Sequence, residues 1–174
     1  MTDTIRILCD NLRECFRQIQ RYAVLSIGAA ISYLAVAGAP IPPDRSTLTV
    51  PGIMVPLDVD LARMLLLATY IVSAAMAGYV AETGNRIANT LRKLDGAILE
   101  ATLSFPSVGS SPIPAVRFAV SLLPMLLLAA HTVLDGIAAT ETDWFRTGLK
   151  LVFVLAPGIT LFTVLPVGRQ RSRE

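Results

Sequence analysis

His131 is the only histidine in the chain, and Asp135 follows it by four residues. On a helix that spacing sets both side chains on one face, about one turn apart. An imidazole beside a carboxylate near membrane depth can handle a proton or gate a path, because ionisable groups there tend to face protein interior or water. A Ser–His–Asp arrangement using Ser121 fails on distance: the two residues are ten positions apart, roughly 15 Å along one helix. Cys9 and Cys15, six residues apart, cannot make a dedicated zinc site with one histidine, and they read as reduced cytoplasmic thiols. The sequence carries no P-loop and no glycine-rich dinucleotide motif. No catalytic residue, metal or cofactor is expected, and an enzyme is the weakest functional class.

The elements that must position His131 are apolar. Of 174 residues, 53% are hydrophobic and 16% charged, with a mean hydropathy of +0.61, whereas soluble domains carry about a quarter charged residues. That balance disfavours a soluble enzyme, a nucleic-acid module and a disordered tail, and the length suits one domain. A hydrocarbon core of ~30 Å takes about 20 apolar residues in a helix. Four stretches qualify, and they are continuous rather than alternating, which selects helices over strands. The expectation is an all-α integral membrane protein with transmembrane helices at 22–39, 61–82, 117–135 and 148–168. Ala35-Val36-Ala37 before Gly38 resembles a signal-peptidase site, but the 21 residues ahead of the apolar run are long for a leader and hold Asp3, Asp10 and Glu14.

Basic residues orient the spans. With the N-terminus inside, eleven lie on the cytoplasmic side (Arg6, Arg13, Arg17, Arg21, Arg86, Arg92, Lys93, Arg117, Arg169, Arg171, Arg173) and four outside (Arg45, Arg63, Arg146, Lys150). Both termini are therefore expected in the cytoplasm. The predominance of Arg over Lys, thirteen to two, hints at a GC-rich bacterial genome and hence an inner (plasma) membrane.

The cytoplasmic pieces are patterned. Ile5, Leu8, Leu12, Cys15, Ile19 and Tyr22 step by three and four through 1–21, an amphipathic helix with a narrow seam. Ile87, Leu91, Leu94, Ile98 and Ala101 repeat the pattern in 83–103. The two seams are expected to pack on each other or on copies in neighbouring subunits. The stretch 104–116 breaks the helix with Ser, Pro and Gly; 169–174 is a cytoplasmic tail. Outside, 40–60 is proline-rich and reads as a short hairpin around a Pro51-Gly52 turn, and 136–147 carries Trp144 as an interfacial anchor.

Gly28–Ser32 and Ala74–Gly78 are small-xxx-small pairs, and Ser73, Ala77 and Ala81 form a longer stripe, so helix backbones can approach closely in lipid. Pro124 and Pro157 should kink the third and fourth spans. His131, Asp135, Ser73, Pro124 and Pro157 are the candidate path or gating residues. Arg13, Arg17, Arg86, Arg92 and Lys93 are candidate contacts for anionic lipid or for a nucleotide or nucleic-acid ligand, which nothing in the sequence requires. These features lead to a homo-oligomeric channel or membrane-permeabilising effector with a cytoplasmic helical assembly region. The competing expectation is a non-conducting scaffold subunit that anchors a cytoplasmic protein partner at the bilayer.

Overall fold

In hydrocarbon a chain must satisfy its own backbone hydrogen bonds, and uninterrupted apolar runs do so as helices. The computed structural model describes residues 3–38, 47–49, 56–104, 107–111, 113–138 and 144–168. Among these, four helices are long and apolar enough to cross a membrane: Asp3–Gly38, Val59–Leu94, Pro114–Ile137 and Trp144–Val164. The chain is a multi-pass, all-helical bundle apart from one small strand pair.

Helix α1 (Asp3–Gly38) and helix α2 (Val59–Leu94) each have 36 residues. At ~1.5 Å per residue each is about 54 Å long, well beyond a hydrocarbon core of ~30 Å. Between them strands β1 (Thr47–Thr49) and β2 (Pro56–Asp58) pair antiparallel, Leu48 opposite Leu57. The Pro51-Gly52 turn lies outside the described residues. Asp58 then starts α2 by accepting from the backbone N–H of Asp60 and Leu61, a side-chain N-cap.

The helix expected to run on through Ala101 is interrupted at Asp95. That residue is extended, and its side chain accepts from the N–H of Ala97 and Ile98, capping a separate helix α3 (Gly96–Leu103). After the described loop residues 107–111, Pro114 opens a short α4 (Pro114–Arg117). A π-helical segment Phe118–Leu122 follows and leads into α5 (Leu123–Ala138). The π segment ends just before Pro124, whose ring crowds the carbonyl four residues back; Leu123 N–H reaches back five residues to the Phe118 carbonyl. Helix α6 (Trp144–Val164) completes the bundle and starts four residues earlier than its apolar run.

The helices neighbour one another in the cyclic order α1, α2, α6, α5. The N-terminal half of α1, α3 and the segment after α6 gather at one end of the bundle, the terminus end; Tyr33, Arg63, His131 and Lys150 gather at the other, the far end. At the terminus end the two seams pack within one chain. Leu12, Phe16 and Ile19 of α1 are buried with Ala88 and Leu91 of α2 and Leu99 and Leu103 of α3, with Ile5, Leu8, Ile87 and Ile98 partly buried around them. Leu94 instead stands 55% exposed, because the break at Asp95 turns the chain before the seam can continue. Toward the far end the centre is filled by Tyr70, Ala74, Leu128, Val154, Ala29 and Ala30.

Both cysteines are buried in this packing, and burial, then the nearby Glu14 carboxylate, pushes the Cys15 thiol up from its ordinary value. Since thiolate is the reactive form, alkylation of the native protein at neutral pH should be slow. Leu91→Asp places a carboxylate among fully buried side chains and should cost about 3 kcal/mol or more, with fast labelling of Cys9 and Cys15. Leu94→Asp, on the exposed face, should leave both the melting temperature and the labelling rate near wild type.

Candidate functional site

The end of α6 shows how the polar side chains are used. A helix leaves its last carbonyls without intrahelical donors. Phe162 C=O would ordinarily accept from residue 166, which is a proline. Arg117 takes that place: its Nη2 donates to the Phe162 carbonyl at 2.9 Å, and its guanidinium lies 4.2 Å over the Phe162 ring. The next orphan, Val164 C=O, accepts from Asn85 Nδ2 of α2 at 2.9 Å, while Asn85 Oδ1 accepts from Gly168 N–H at 2.7 Å. One buried amide therefore closes both sides of the turn that leaves the helix.

The segment 165–168 folds back as a hook. Leu165 and Val167 are fully buried in the terminus-end core, Val167 N–H donates to Gly109 C=O, and Arg92 donates to Gly168 C=O. Gly168 has φ +74°, and a Cβ there would lie 3.0 Å from both Ala88 and Leu103, so glycine is required twice over. Val167 sits against Gly84, where a Cβ would come within 2.9 Å of its side chain.

The prolines share one level of the bundle. Pro157 lies inside α6 beside Gly158, where an added Cβ would meet Met125 Sδ at 2.8 Å and the Ser121 carbonyl at 2.9 Å. Ser121 of the π segment and Met125, next to Pro124, are thus the facing residues.

At the far end, a cavity of about 300 Å³ opens where α1, α2, α5 and α6 converge. Tyr33, Asp60, Arg63, His131, Asp135 and Lys150 line it, over a floor that includes Leu67 and Val154. Tyr70 closes the bundle below, its hydroxyl donating to the Val154 carbonyl at 3.1 Å. His131 Nδ1 is 3.2 Å from Asp135 Oδ2, with side chains 21% and 68% exposed. That suits an ion pair when the imidazole is protonated, but the angle is not that of a hydrogen bond, and Nδ1 has no other partner among the described residues. The ring of Tyr33 meets His131 edge-on at 5.7 Å. Arg63 Nη1 stands 3.4 Å from Asp60 Oδ1, and its Nε is buried without a partner among the described residues.

The structure thus brings His131 and Asp135 together and adds Tyr33, Asp60, Arg63 and Lys150, which the pattern along the chain did not single out. Their signal was position: in four antiparallel spans, charges at alternate span ends must converge. Ser73 is buried in the bundle, and Thr69, Ser121 and Thr132 donate to carbonyls four residues back. Gly78 packs against Thr160 of α6, while a Cβ added at Gly28 would meet nothing within 4 Å. Four of the five basic candidates are engaged within the chain. Arg13, Arg17 and Arg86 pair at 3.4 Å with Asp10, Glu14 and Glu82 on their own helices, Arg92 is committed to Gly168 and Asn89, and Lys93 is exposed. Asn85 was missed; a lone amide among Ala81, Gly84 and Ala88 was its trace in the sequence. Among the described residues no group of His, Cys, Asp and Glu is arranged to hold a metal ion.

No family model, curated protein or solved structure matches the chain.

Asn85→Ala leaves two buried backbone groups without partners, at about 1–3 kcal/mol each. It should lower the melting temperature and open amides 165–168 to hydrogen exchange before the rest of the bundle. Gly158→Ala should cost about 1–3 kcal/mol by overpacking, while Gly28→Ala should be neutral or stabilise by up to about 1 kcal/mol from helix propensity, both read by thermal unfolding in detergent.

Proposed function

We propose that the chain is a homo-oligomeric channel or membrane-permeabilising effector of a bacterial inner membrane, with any conducting path between copies. The observation that carries this reading is the filled interior of the single bundle. Tyr70, Leu128, Val154, Leu161 and Leu165 are fully buried from one level to the next, so one subunit leaves no room for a continuous aqueous path. The exposed belt of apolar side chains, including Leu25, Ile31, Leu65, Val72, Leu126 and Phe153, suits lipid or a second copy. On α1 that belt contains Gly28 and Ser32, both exposed, where a neighbouring helix could approach closely. Both described chain ends lie at the terminus end, and the basic residues there support a cytoplasmic placement by the positive-inside rule. The blind, charged cavity at the far end then faces the outer surface.

A second reading is favoured by the seams. They are used up within the chain, so the terminus end is a preformed projection with a charged outer face rather than an assembly surface. A non-conducting scaffold subunit holding a cytoplasmic protein would use that face.

The lipid-corrected mass of the particle extracted into nanodiscs separates the two. Three or more copies, with ion flux from loaded liposomes and a fall in mass for Gly28→Leu, are the expected results. A monomer without flux, carrying one stoichiometric partner from the native membrane, would establish the scaffold reading instead.

A further inference from the structure

The far-end cavity has a chemistry beyond that of a gate. It is lined by two carboxylates, Asp60 and Asp135, and two cations, Arg63 and Lys150, with His131 and Tyr33 between them. With His131 neutral these four charges cancel, so an isolated anion meets the two aspartates and an isolated cation meets Arg63 and Lys150. A ligand carrying both signs satisfies both pairs. The side chains also leave specific groups open. Arg63 touches Asp60 through Nη1 alone among the described residues. The guanidinium favours an oxyanion such as phosphate. Lys150 adds a second cation from α6, the neighbour of α2. Asp135 approaches His131 through one oxygen, Oδ2, leaving Oδ1 for a further donor.

Size and depth narrow the ligand. About 300 Å³ is at the small end of ligand pockets, which run from ~300 to ~1,000 Å³. The cavity lies where the helices end, beside the first turn of α6, where Trp144 and Phe145 stand 68% and 82% exposed. Exposed aromatic rings at a span end mark the headgroup level of a bilayer.

We infer that this cavity binds a compact phosphate–amine zwitterion of the phosphoethanolamine type, carried on a lipid or free in solution. Arg63 and Lys150 hold the phosphate; Asp60 and Asp135 accept hydrogen bonds from the primary ammonium. His131 and Tyr33 close the wall between them.

The test uses the intact protein in phosphatidylcholine nanodiscs. It is titrated by calorimetry with dihexanoyl phosphatidylethanolamine, dihexanoyl phosphatidylglycerol and free phosphoethanolamine. The ethanolamine lipid should saturate at one per chain and bind at least about tenfold more tightly than the glycerol lipid, the loss expected when a charge-assisted hydrogen bond is missing. Binding of free phosphoethanolamine at the same site identifies a soluble source, and binding of the lipid alone identifies the bilayer. Lys150→Gln and Asp135→Asn, both at exposed positions, should keep native helicity and each weaken binding about tenfold. Thr83→Ala, half-buried on α2 and not among the residues that line the cavity, should bind as wild type does. Equal affinity for the two lipids, no saturable binding, or wild-type binding by both charge variants would overturn the inference.

Discussion

A backbone carbonyl or N–H without a partner in hydrocarbon costs several kcal/mol, and this constraint governs the bundle. Most of the chain meets it by being helical. The interest lies where the helices are broken. Pro124 removes one donor, and the turn just before it is a π turn in which Leu123 N–H bonds Phe118 C=O. At the end of α6 no local answer exists, since Pro166 lacks an N–H and the chain turns away. Side chains from other elements then complete the helix: Arg117 for Phe162 and Asn85 for Val164. Those two bonds tie α6 to α4 and α2, so a local deficit becomes a tertiary fastening.

The two ends of the bundle are built on different principles. At the terminus end, long apolar side chains from α1, α2 and α3 surround the hook 165–168, and several polar groups inside are bonded to backbone or to one another. Thr102, for example, donates to Ile98 C=O and lies 3.6 Å from Cys9 Sγ. In the middle, small residues allow close crossing, with Ala77 and Ala81 fully buried and Gly158 set against Met125. At the far end, charged side chains stand around a cavity and their pairing is incomplete. The larger buried cluster includes the stretch where the helices extend past the apolar spans, and charged side chains gather where the four span ends converge.

The fold class was legible because its signal is periodic and long: apolar runs bounded by charges, and heptad-like steps in 1–21 and 83–103. The seam in 1–21 buries Leu12 and Ile19 as its spacing requires. The second seam holds at Ile87, Leu91 and Ile98 but fails at Leu94. Beyond it the competing signal was Asp95-Gly96, a cap and a flexible residue, and the cap prevailed over periodicity because it satisfies two N–H groups at once. The candidate site was half legible. His131 and Asp135 share one helix, so their spacing sufficed; Tyr33, Asp60, Arg63 and Lys150 come from three other helices, and periodicity along one helix carries no information about another.

The sequence by itself determined that the chain is helical, how many apolar spans it offers, and which faces of its polar extensions are apolar. These follow from local hydrophobicity and from the impossibility of exposing backbone to lipid. Only the tertiary structure decided that the seams close within one chain, that Asn85 and Arg117 finish α6, and that a balanced set of charges meets at the far end. Each of those depends on which helices are neighbours, and neighbourhood is fixed by packing among residues distant in the chain.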